Sequence, residues 1–206
     1  MLVIGAVCPI PPAPGPLCGK MAGVDLTALP LQLLPPIAYA GSDDRPPPGP
    51  DEFRGATSQE GSNRPAGGLW CAPVTSRAAD GSAAATAWTD WLATPDPDTR
   101  TPSHHLGRYT RLTEVEPLPH ARVYLVDTAQ HLDDLVEAYR LPAGHPMRRT
   151  TPDWAAAAGA GWDAVYVSAA GLDANAERHL MAEPSLARWD CATVLWLNAA
   201  YRIPAG

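Results

Sequence analysis

The sequence predicts a single α+β domain, and three observations carry the prediction. RVYLVD (122–127) is a β-branched and aromatic run that feeds straight into TAQHLDDLVEAY, where Ala129, Leu132, Leu135, Val136 and Tyr139 recur at helical spacing. Two more buried-looking strands, DAVYVS (163–168) and CATVLWLN (191–198), follow with helical stretches between them. The connections lack the regular crossover lengths of a doubly wound sheet, which favours α+β over α/β. At 206 residues the chain is long enough for one domain with a real core and short for two.

Along the chain, half of the 24 prolines lie in the first 50 residues, as CPIPPAPGP, LPLQLLPPI and RPPPGP. Proline at that density removes hydrogen-bond donors and forces extended backbone, so residues 1–50 are expected to form an arm. Its Leu26, Leu29, Leu31, Leu33, Leu34, Ile37 and Tyr39 leave open whether it is a loose extension or a docked segment. All seven tryptophans fall at or after Trp70, and large aromatic area is what a core is built from. The folded domain is therefore expected to span 51–206.

Within that domain, Gly67-Gly68 is a turn that admits positive φ, Leu69-Trp70-Cys71 reads as a short strand, and Pro73 is expected to end it. A loop follows through Thr75, Ser76, Asp80 and Gly81. AAATAWTDWL is helical by propensity, with Trp88 and Trp91 on one face and core anchoring as their plainest role. LTEVEP reads as a strand leading to RVYLVD. The next helix is capped by Thr128 or Asp127 and ended by Pro142 and Gly144. TPDWAAAAGAG predicts a short helix with Thr151 as N-cap and Pro152 in its first position, stopped by Gly159 and Gly161. AGLDANAERHLM is a further helical candidate before the last strand.

Composition narrows the function classes. A formal net charge of −7 provides no basic field to attract nucleic acid or an anionic membrane. Cys8, Cys18, Cys71 and Cys191 are widely spaced without a C-x-x-C pair, so neither a zinc site nor a disulfide framework is expected, and reduced thiols in a cytoplasmic protein fit best. The MLVIGAVC start lacks the charged region of a signal peptide, and no apolar run reaches membrane-spanning length. His104-His105, with Asp96 and Asp98 nearby, lacks ligand spacing and reads as a solvated loop, so no metal is expected. No G-x-S-x-G elbow, P-loop or G-x-G-x-x-G is present.

One ordered set of short motifs remains. Phe53-Arg54-Gly55, then Gly68-Leu69-Trp70, a loop, and a small-residue helix with Thr86-Ala87-Trp88 resembles the front half of the ADP-ribosyltransferase fold in a bacterial or phage-type form. WDAVYVS and a terminal strand opened by Trp189-Asp190-Cys191 extend the resemblance over roughly residues 52–198. It implies a mixed or antiparallel split sheet, NAD as cofactor, and transfer of ADP-ribose to a protein or nucleic-acid acceptor.

Cleaving the nicotinamide–ribose bond develops a cationic sugar, so such a site holds the dinucleotide bent and sets a carboxylate at the ribose. By position, the resemblance assigns Arg54 to a phosphate or ribose and Gly55 and Gly68 to close backbone approach. It assigns Trp70 and Trp88 to the cofactor site, Trp70 as a stacking surface, and Thr75 or Ser76 to the nicotinamide ribose. The glutamate expected near the start of the last strand is missing, since Ala192 stands there. Asp190, or Glu183 from the preceding loop, would have to replace it. The alternative implied by that gap is a catalytically inactive interaction module, associated with a phage or toxin system.

Overall fold

The computed structural model describes residues 26–42, 45–96, 98, 100–103, 105–109, 111–179 and 182–204. In chain order the strands and helices are β1 (Ala28–Leu29), β2 (Ile37–Gly41), β3 (Thr57–Gln59), β4 (Ser62–Ala66), β5 (Leu69–Arg77), β6 (Ala83–Thr86), α1 (Ala87–Ala93), β7 (Arg111–Pro117), β8 (Val123–Val126), α2 (Ala129–Ala138), α3 (Trp154–Gly159), β9 (Ala164–Val167), α4 (Ala169–Asn175), β10 (Thr193–Trp196) and β11 (Tyr201–Arg202). Nine strands form one mixed sheet in the order β1-β8-β9-β10-β5-β2-β7-β11, with β6 paired to β5, while β3 and β4 make a separate hairpin. Strands β8 and β9 run parallel, with Val123 opposite Ala164 and Val126 opposite Val167. The architecture is therefore mixed α+β.

The boundary expected at residue 51 moves toward the N-terminus. Strand β2 lies inside the sheet, paired with β5 through Ile37–Pro73 and Ala38–Ala72 and with β7 from Ile37–Val115 to Gly41–Arg111. Strand β1 pairs with β8 at the other end of the sheet. Residues 26–41 are thus part of the folded domain, and the first 25 residues of the expected arm lie outside the described ones. The apolar residues between the prolines are what the sheet uses: Ile37 and Ala38 are buried.

Two further expectations change for tertiary reasons. Pro73 does not end its strand, because the next donor, Val74 N, reaches Pro36 O at 2.8 Å and carries the pairing past it. The alanines at 83–85 form β6 against β5 rather than the start of a helix, since pairing of Val74 with Thr86 and Arg77 with Ala83 outweighs alanine's helix propensity. Helix α1 begins only after Thr86, where a reciprocal cap forms: Thr89 N donates to Thr86 Oγ1 at 3.3 Å and Thr86 N donates to Thr89 Oγ1 at 2.8 Å. Helix α2 is capped by Thr128. Helix α3 starts two residues later than expected, with Asp153 as its N-cap.

Alternation along the strands sorts side chains onto two sheet faces. On one face, Tyr124, Val126, Val165, Val167 and Leu195 pack with Leu132, Leu135 and Val136 of α2 and with Trp154, Trp162 and Trp189. On the other, Ile37, Leu69, Cys71, Val115, Val123, Val194 and Trp196 pack with Ala200 and Tyr201, assisted by half-buried Leu29, Leu31, Leu34 and Phe53. The first face is filled only over β8, β9 and β10. Continued across β5 and β2, the same face carries Ala72, Ala38 and Ala40, and there a cavity opens.

Candidate functional site

Two glycines set the site's first wall. Gly67 and Gly68 have φ of +72° and +68°, and a Cβ on Gly68 would stand 2.6 Å from Trp196 O, so only glycine lets β5 enter the sheet here. Gly68 N donates to Arg54 O at 2.8 Å. The indole Nε1 of Trp70 donates back to Gly67 O at 3.1 Å, which fixes the ring at the strand's start. The double glycine thus serves chain-to-chain contact and orients Trp70.

The cavity, about 250 Å³, is floored by Ala38, Ala40 and Ala72 and walled by Trp70 and Arg64 on one side and Trp88 and Tyr109 on the other. The Arg64 guanidinium lies over Trp70, 4.7 Å from the ring centroid. Arg64 is held on β4 beside the buried Asn63, whose Nδ2 donates to Ser185 O at 2.5 Å. Asp190 reaches the same wall: its Oδ2 is 3.4 Å from Arg64 Nη1. On the far wall Trp88 stacks on Trp91 with ring centroids 5.1 Å apart, and Tyr109 meets Trp88 edge-on at 5.7 Å. Trp91 is 42% exposed, so the pair is an aromatic shelf rather than the core anchor its spacing first indicates. The cap at Thr86, itself fully buried, fixes the helix that presents this shelf.

The rim residues Cys191 and Thr193 are polar but chemically quiet. Burial pushes the Cys191 thiol up to about 11, so at neutral pH it is neither nucleophile nor base. Thr193 Oγ1 donates to Cys191 O at 2.8 Å. Cys71 is fully buried, and desolvation raises its thiol well above the ordinary range. Tyr39, also lining the cavity, has its hydroxyl pKa raised, first by burial and then by Tyr109.

Of the residues picked out by sequence, Trp70 and Trp88 line the cavity and Asp190 reaches it through Arg64. Arg54 contributes its backbone carbonyl to the Gly68 turn but does not line the cavity. Gly55 meets Gly67, since a Cβ on Gly67 would stand 2.5 Å from Gly55 O. Thr75 and Ser76 lie farther along β5, exposed and outside the lining. Glu114 is locked by Arg77 at 2.7 and 3.0 Å, and the guanidinium holds its carboxyl below the usual range.

Among the described residues no group of three or more His, Cys, Asp or Glu side chains is placed to hold a metal ion, and His104 lies outside them. No helix among them is long and apolar enough to cross a membrane. Arg64, Tyr109 and the alanine floor escape sequence reasoning. Arg64 meets its partner Asp190 across 126 positions, and the floor shows only as alternating alanines in Ile37–Gly41. No protein-family model, curated protein or solved structure matches the chain.

Proposed function

We propose that the protein binds a dinucleotide of the NAD class, one ring of which stacks in the Trp70–Trp88 slot, and that it acts as a binding module without cleaving it. The observation that carries this reading is the composition of the slot: two indoles, a phenol and a guanidinium line it together with three alanines. Aromatic walls of this kind favour a planar ring, and base–aromatic stacking contributes about 1–3 kcal/mol per base. Arg64 adds a cation beside the stacked ring for a carboxamide, ribose hydroxyl or phosphate.

The resemblance to ADP-ribosyltransferases points to the same ligand class, and the residues at the site favour binding without cleavage. Cleavage needs a carboxylate at the ribose, and the residue at the position where the resemblance expects a glutamate is Ala192. The nearby carboxylate, Asp190, is neutralised by Arg64.

A second reading, transfer of ADP-ribose to a protein or nucleic-acid acceptor, has one observation in its favour. Asp190 keeps 32% of its side chain exposed, and its ion pair is long at 3.4 Å, so it can turn toward a bound ribose.

Titration calorimetry with NAD, together with a nicotinamide-release assay, tests both. Binding that Ala72→Leu abolishes by filling the slot, without nicotinamide release, is the expected result. Release by the unaltered protein that Asp190→Asn removes would establish the second reading, and failure to bind NAD would overturn both.

A further inference from the structure

Tyr109 also borders a second cavity. This cavity, of about 590 Å³, shares Tyr39, Ala40 and Tyr109 with the slot and adds Arg45 and Arg108. Pairing of Gly41 with Arg111 aligns the end of β2 with the start of β7, and this brings the turns that carry the two arginines together. Each turn is closed by a backbone hydrogen bond, Arg45 N to Ser42 O and Arg108 N to His105 O, both at 2.9 Å. Among the described residues neither guanidinium forms an ion pair with a carboxylate. Gly107 lines the same cavity, with open space where a side chain would stand.

We infer that this pouch is a phosphoryl subsite: the molecule whose ring enters the slot carries a phosphate or diphosphate that Arg45 and Arg108 receive. Two guanidiniums line a cavity next to an aromatic one, and the linings of the two cavities share Tyr39, Ala40 and Tyr109. The ligand class is therefore a nucleotide or dinucleotide, with nucleosides and free bases as poor substitutes. This inference rests on the stacking role of the slot.

Titration calorimetry of the full chain with adenosine, AMP, ADP, NAD and inorganic pyrophosphate tests it, alongside Arg45→Gln/Arg108→Gln. The expected order is ADP and NAD tighter than AMP, and AMP tighter than adenosine. The double variant should weaken ADP and NAD by about tenfold or more, since each lost hydrogen bond to a charged phosphate removes a strong contact, and should leave adenosine within about twofold. Both arginines are exposed, so the variant is expected to keep its circular dichroism and melting temperature.

Equal binding of adenosine and ADP overturns the pouch and leaves the slot standing. Pyrophosphate binding that the double variant abolishes, with no ring compound bound, keeps the pouch and overturns the slot. A single-stranded oligonucleotide that binds more tightly than ADP and NAD overturns the small-molecule assignment in favour of a polynucleotide backbone.

Discussion

One face of the sheet runs over two regions that differ mainly in side-chain volume. Over β8, β9 and β10 it carries tyrosine, valine and leucine and is sealed by Trp154, Trp162 and Trp189. Over β5 and β2 the same face carries Ala72, Ala38 and Ala40, and the large side chains stand at the sides instead of on the floor. Backbone pairing continues across both, so hydrogen bonding does not distinguish core from cleft. The difference teaches that methyl-sized residues at alternate positions, framed by aromatics from neighbouring elements, suffice to turn a sheet face into a binding slot.

The comparison is broken or sharpened by variants on each side of it. The largest effect is expected from Trp154→Ala in the sealed half, which removes a side chain 2% exposed and should lower stability by about 3–5 kcal/mol. Trp88→Ala in the open half should cost less than about 1.5 kcal/mol, near the value of an aromatic pair. Equal losses in urea denaturation would erase the distinction between the halves.

Gly68→Ala should cost somewhat less than Trp154→Ala, at about 1–3 kcal/mol for its positive φ before the contact with Trp196 O is counted. Quenching of Trp70 fluorescence should rise in parallel as the indole loses its fixed position. Thr86→Ala removes the cap of α1 and should cost about 1 kcal/mol, with a larger relative loss of NAD affinity than of stability.

The smallest effect concerns Cys191. Its folded thiol titrates near 11, above the unfolded value, so the proton is held more tightly in the fold. The resulting stabilisation is complete below the unfolded pKa and disappears as pH rises through about 11. Alkylation at pH 8 should be slow in the native protein and should accelerate on the same rise; fast modification at neutral pH would contradict the burial assigned to this rim.

Much of the sealed half is legible in the sequence, because its signals are local. RVYLVD, DAVYVS and the helical apolar spacing of TAQHLDDLVEAY announce β8, β9 and α2, and of the two caps expected, Thr128 or Asp127, Thr128 takes the role. The open half is less legible because its elements depend on distant partners. Ile37–Gly41 sits in a proline-rich context that hides a strand paired to residues some 35 and 75 positions away. The alanines at 83–85 follow a neighbouring strand against their own helical preference. At the site, Trp70, Trp88 and Asp190 are visible as residue types, while Arg64 and Tyr109 carry no sequence mark. The Arg54-Gly55 dipeptide matches a motif but belongs to a segment that supports the turn instead of lining the slot.

The interior placement of β2 changes what the proline-rich region means for the molecule. A chain shortened to begin at residue 51 would lose the strand that joins β5 to β7, and both neighbours would be left with a raw edge of unsatisfied backbone donors and acceptors. Such a fragment is expected to recruit further copies of itself or precipitate. What reads as a tether in composition is, in the assembled sheet, the strand that joins its two halves.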